Sequence, residues 1–103
     1  INRPPNDEEI MKFAKYLFQE VDLIKPKLIV TLGGVAYKIL AGNERLSISR
    51  DHGKNRIVRI HNNDYMLFPL YHPAAIIYKQ DLQDDYMDDL YRLKLFIQRT
   101  MVK

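Results

Sequence analysis

The sequence predicts an α/β fold in which helices cover a largely parallel sheet, and three stretches carry that expectation. Residues 27–32, Lys-Leu-Ile-Val-Thr-Leu, read as a strand apolar on both faces, the pattern of a strand with parallel neighbours and helices above and below. This run passes directly into Gly33-Gly34 and an apolar segment, as a strand-to-helix turn does. A second strand-like run, Met66-Leu67-Phe68-Pro69-Leu70, ends abruptly in Tyr71-His72-Pro73 followed by Ala74 and Ala75.

The elements follow in order. Asn6 with Glu9 three residues later forms a capping box, which satisfies two orphan amides at a helix start. Ile10, Phe13, Ala14, Leu17, Phe18, Val21 and Ile24 recur at helical spacing, so the first helix should run to about Leu23 and end before Pro26. After the strand at 27–32, a short helix over 35–40 stops at Ala41-Gly42-Asn43, a helix-ending composition. Residues 56–61 and 65–70 form two strands across a turn at Asn62-Asn63-Asp64. The last helix begins near Leu82 or Gln83 and buries Tyr86, Leu90, Leu93, Ile97 and Met101. Asp81, Asp84, Asp85, Asp88 and Asp89 crowd its start, where negative charge complements the helix dipole; that explains the acidic run better than metal binding does.

With 103 residues, 47% hydrophobic and 28% charged, the chain is enough for one marginal core, hence one domain or half of one. A doubly buried strand needs more parallel neighbours than the sequence supplies, so strands are expected to be missing at the N-terminus. No stretch is long and apolar enough to span a bilayer, and no signal-peptide pattern opens the chain, so no membrane partner is expected. The absence of cysteine excludes disulfides and thiolate-held metals and is compatible with a reducing compartment, the cytoplasm being the expected location. The formal net charge is +3. Its distribution says more: Arg45, Arg50, Lys54, Arg56 and Arg59 outnumber Glu44 and Asp51 between Asn43 and His61, where they could neutralise phosphates or simply form a solvated basic loop.

Two motifs could carry chemistry. Pro73 has a fixed φ and no N–H, which suits the first position of a helix or turn, so His72 is presented at a strand's exit. Taken alone, such a histidine is more often an ordinary strand-to-turn residue. Gly33-Gly34 opens a helix whose N–H groups face whatever lies above the strand end, and the missing Cβ atoms let a phosphate approach. Tight strand–helix packing explains the glycine pair equally well. Together, the two motifs suggest two loops on one rim of one sheet. His52, between Asp51 and Gly53, fits either a turn or a place near a ligand, and His61 beside a turn reads as solvated.

In order along the chain, Arg3-Pro4-Pro5-Asn6, Pro26 to Ala36, Arg50-Asp51-His52-Gly53-Lys54, and Phe68 to Tyr78 reading FPLYHPAAIIY resemble four elements of the uracil-DNA glycosylase superfamily, most closely its family 4 branch. The resemblance covers essentially the whole chain but only the C-terminal half of such an enzyme. It implies a three-layer α/β/α sandwich with a central, mostly parallel sheet, of which this chain is the C-terminal portion. The implied activity is hydrolysis of the N-glycosidic bond of uracil in DNA after base flipping, in DNA repair. By the same resemblance His72 would donate a hydrogen bond to the uracil carbonyl, Gly33 and Gly34 would contact a phosphate, Pro73, Ala74 and Ala75 would compress the backbone beside the flipped nucleotide, and Ile76 would wedge into the vacated stack. Arg50 and Lys54 would line the DNA track. Ala74 departs from the serine of many relatives.

Family 4 members commonly hold an iron–sulfur cluster through four cysteines. Here Asn2 and a residue near Lys12 stand at two of those positions, so no cluster is expected. The family's water-positioning, uracil-stacking and uracil-reading residues all precede the Arg-Pro-Pro element. The missing N-terminal half would therefore be supplied in cis or by a second polypeptide. A catalytically silent glycosylase-like module for DNA binding or replication-associated interaction is the competing expectation, and a generic doubly wound domain for a phosphorylated small molecule is a third.

Overall fold

The computed structural model describes residues 6–43 and 45–100; Asn2, the Arg3-Pro4-Pro5 element, Glu44 and Met101 lie outside them. Helix α1 spans Asp7–Ile24, and the capping box forms as expected: the Glu9 amide donates to the Asn6 side chain at 2.8 Å, and the Asn6 amide to Glu9 at 3.3 Å. Lys25 ends it in a left-handed conformation just before Pro26. Strand β1 (Leu28–Leu32) leads through Gly33 into α2 (Gly34–Ala41), which Gly42 terminates. A single turn of helix that the sequence did not announce, α3 (Ile48–Asp51), precedes β2 (Arg56–Ile60) and β3 (Asn63–Leu70). Then come α4 (Pro73–Tyr78), a 3-10 turn at Gln80–Leu82, and α5 (Gln83–Thr100).

The three strands lie in the order β1-β3-β2, with β1 parallel to β3 and β2 antiparallel to it. Tyr65 and Leu67 of β3 join Val58, Ile60, Tyr37, Leu40 and Val21 in a core beneath α1 and α2. The intervening residues face the other way, where Phe68 meets Phe96 of α5 at 6.5 Å between ring centroids. Helices thus lie on both faces of a mixed sheet, and the chain has the α/β fold that the sequence predicts.

The hairpin departs from expectation. The turn between β2 and β3 is not Asn62-Asn63-Asp64 but the two residues His61 and Asn62, at φ 48° and 71°, with Ile60 paired to Asn63. Two consecutive positive φ values give the hairpin the twist its strands need. His61 is accordingly not merely solvated: its Nδ1 lies 2.5 Å from Asp22 of α1, and its ring is 5.7 Å from Phe18. Strand β1 is not covered on both faces by the described residues. Thr31 is buried, yet Val30 and Leu32 are 40% and 46% exposed, because β1 pairs only with β3 and no described element covers its second edge.

Candidate active site and nucleic-acid interface

The sheet's connectivity gathers the site. In the parallel pair Leu32 lies opposite Leu70, so the segments following β1 and β3 emerge side by side. In the antiparallel pair Arg56 lies opposite Leu67, so the loop preceding β2 reaches the same rim from the other side. Gly33-Gly34, the Tyr71-to-Ala75 turn and the Arg50-to-Asn55 loop therefore line one edge, with the histidine turn in the middle.

Gly33 and His72 are in direct contact. The Gly33 N–H donates to the Leu70 carbonyl at 2.8 Å, and a Cβ at Gly33 would lie 3.1 Å from His72 Cβ. With φ at 83°, the position favours glycine on both counts. Its amide is thus committed to β3, and donors for a phosphate fall to Gly34 and the first turn of α2, whose N–H groups have no intrahelical acceptors.

His72 is the N-cap of α4 with Pro73 in the first turn, as the sequence predicts. Its Nδ1 accepts from the Ala74 N–H at 3.1 Å, and its carbonyl accepts from Ala75 at 2.9 Å. An amide donating to Nδ1 requires a lone pair there, which places the ring proton on Nε2. The exposed imidazole is therefore a neutral donor through Nε2–H. Ala74 is exposed and Ala75 half-buried. Ile76 is half-buried, while Ile77 and Tyr78 project into solvent at 71% and 81% exposure.

The basic loop is built on a polar frame. Tyr37 of α2 donates to Asp51 at 2.8 Å, Arg56 donates to the Tyr37 hydroxyl at 2.8 Å, and Arg50 Nε lies 3.4 Å from Asp51. Burial works against the Asp51 charge, but the Tyr37 hydroxyl and the Arg50 guanidinium outweigh it and hold the carboxyl below its ordinary range. Burial, reinforced by Asp51, pushes the Tyr37 hydroxyl up against the opposing Arg56. These residues, with Lys54 and Asn55, line an open cleft of about 380 Å³. Arg59 is outside it, engaged with Asp64 at 2.9 Å.

The sequence named Arg56 only as part of a basic stretch, did not single out Tyr37 or Asn55 as cleft residues, and misassigned Asp89. That residue is not part of the solvated acidic start of α5: it is 1% exposed and lies 2.6 Å from Nδ1 of His52. Its spacing, three residues after Tyr86 and four before Leu93, places it within the apolar stripe, and that was the available signal.

An iron–sulfur cluster does not fit the donors of this chain. The sequence has no thiolate to offer, and Lys12 is an exposed residue of α1 lying 3.6 Å from Glu8. Among the described residues no group of three or more His, Asp or Glu side chains is placed to hold a metal ion, and no helix is long and apolar enough to cross a membrane.

Comparison with known proteins identifies a family. Residues 1–93 match the family described as the uracil DNA glycosylase superfamily. A type-4 uracil-DNA glycosylase of Sulfurisphaera tokodaii is 33% identical over 96 residues, covering 90% of this chain and 44% of the relative. That of Archaeoglobus fulgidus is 34% identical over 95 residues, covering 89% and 48%. A DNA polymerase of Bacillus phage SP01 is 28% identical over 89 residues, or 86% of this chain and 9% of the polymerase. The chain spans about half the length of the type-4 relatives it matches. With its glycine turn packed on the histidine turn and its family profile covering nearly every residue, the chain belongs to the uracil DNA glycosylase superfamily.

Proposed function

We propose that this chain is the C-terminal half of a DNA repair glycosylase that hydrolyses the N-glycosidic bond of uracil in DNA. The observation that carries the reading is His72, held by Ala74 N–H at Nδ1 and by Gly33 at its Cβ, with Nε2–H left free on the rim. Cleavage of the bond sends its electron pair into the uracil ring, so negative charge grows on the carbonyl oxygen. A neutral, preorganised N–H donor stabilises that charge and typically contributes about 2.7–4 kcal/mol. His72 donates without itself losing a proton.

Gly34 and the opening turn of α2 contact a backbone phosphate on one side of His72, while Arg50 and Lys54 contact phosphates on the other. Pro73, Ala74 and Ala75 let the strand approach the turn closely, and Ile76 fills the space the flipped nucleotide leaves. The half that precedes this chain, in cis or as a second polypeptide, adds to the open edge of β1. Its support is the apolar groove along that edge, lined by Phe13, Leu17, Val30, Leu32 and Val35, which ends at His72. Whatever pairs with β1 thus also completes the wall of the site, and it supplies the residue that positions water.

Replacing Arg50 and Lys54 together by alanine should weaken DNA binding and reduce the slope of log affinity against log salt by about 1 to 2, since each neutralised phosphate contributes about 0.9. Titrations at several salt concentrations read this, and an unchanged slope would move the DNA track elsewhere. Excision of uracil by the complete protein and its His72 variants tests the chemistry.

The protein should also carry no iron–sulfur cluster, for want of thiolates. Purified protein is expected to be colourless with far less than one iron per chain by elemental analysis; stoichiometric iron with a broad visible band would contradict this.

A second reading rests on the match to a DNA polymerase: a glycosylase-like module that binds DNA for a replication protein without cleaving it. The two readings differ in uracil release alone.

A further inference from the structure

Asp89 is the one charged side chain among the described residues that is fully buried, and the chemistry described so far does not use it. Its Oδ2 lies 2.6 Å from His52 Nδ1, so the imidazole donates to the carboxylate. The same ring lies on Tyr71, with centroids 4.5 Å apart and planes inclined by 31°. Gly53, at φ 73°, packs so closely that a Cβ there would fall 2.0 Å from Asp89 Oδ1, and its N–H donates to Pro69 at 2.8 Å. One buried carboxylate thus fixes the middle of the Arg50-to-Lys54 loop and, through the His52 ring, the residue immediately before His72.

We propose that His52 and Asp89 form a positioning pair that sets the phosphate-contacting loop against the His72 turn, so that a strand held by Arg50 and Lys54 presents its nucleotide at the right depth. The proposal rests on the DNA-binding reading above. A purely structural pair needs no such location, since a buried carboxylate is more cheaply replaced by an apolar residue of similar volume. Its two ends fall on both groups that must keep register with DNA: Asp51 and Gly53 flank His52 between Arg50 and Lys54, and Tyr71 adjoins His72.

The test uses three variants of the complete protein. His52→Phe keeps the ring on Tyr71 and removes the donor. His52→Asn restores an N–H at the Nδ1 position. The double variant His52→Phe/Asp89→Leu removes both polar partners, which restores much of the stability lost by orphaning one. His52→Phe is expected to bind DNA at least about fivefold more weakly with a salt slope smaller by about 1, His52→Asn to stay within about twofold of wild type, and the double variant to recover its melting temperature but not its slope. Should His52→Phe fail to fold, the double variant decides alone. Wild-type affinity and slope in a folded variant lacking the pair would overturn the proposal, as would equal impairment of His52→Asn and His52→Phe. Absence of salt-dependent binding by the wild type would instead overturn the DNA reading itself. Amide exchange at Lys54 and Asn55 keeps the two failures apart: exchange as slow in the double variant as in the wild type shows that the pair does not hold the loop.

Discussion

His72→Ala should lower single-turnover excision of uracil by about a hundredfold or more while leaving DNA affinity within a few-fold of wild type. In the proposed reaction the imidazole would contact an oxygen whose charge grows toward the transition state, so its loss should fall on the chemical step rather than on ground-state binding. A single preorganised donor typically contributes a factor of about 10²–10³. The substitution also removes the cap of α4, since Nδ1 accepts from Ala74, and a lost cap costs about 1 kcal/mol of stability. His72→Asn separates the two effects, because asparagine caps helices well and still offers an amide N–H. It should recover the melting temperature and part of the rate. Full excision by a stably folded His72→Ala protein would remove His72 from the chemistry.

Gly53→Ala should be among the most destabilising single substitutions in the chain. Left-handed backbone at an ordinary residue costs about 1–2 kcal/mol, and here the added methyl would also fall 2.0 Å from Asp89 Oδ1. That carboxylate has nowhere to go: it is buried and already spoken for by His52. Overpacking of this kind adds roughly 1–3 kcal/mol, so a total loss near 3 kcal/mol is expected from denaturant titration. Gly42→Ala is the control, since it shares the positive φ at 69° but meets nothing within 4 Å. It should lose only the backbone share. Equal losses in the two variants would show that the Asp89 contact is relieved without cost.

Local signals in the sequence account for much of this. The capping box at Asn6 and Glu9, the helical spacing of α1 and α5, and the stop at Pro26 depend on residues within a turn or two of one another. Gly33 and His72 were legible for a different reason: each motif marks the end of a strand, and parallel strands bring their ends together. The hairpin turn was misplaced because Asn62-Asn63-Asp64 offers good turn residues, whereas the choice of His61 is stabilised by Asp22, 39 residues away. Asp89 was misread for the same kind of reason. It sits among four other aspartates, and only its partner His52, 37 residues earlier, distinguishes it. The exposed face of β1 reflects a mismatch already present in the sequence, an apolar run that calls for more neighbours than this stretch supplies.

The central claim is most directly tested by incubating the complete protein with duplex and single-stranded DNA carrying one uracil, beside a thymine control, and measuring free base by chromatography together with alkali-labile sites. The account predicts release of one free uracil per site, none from the thymine control, and loss of release in His72→Ala. Salt-dependent binding of the uracil-containing DNA by the wild type without any released uracil would contradict it, leaving a glycosylase-like fold that binds DNA and does no chemistry.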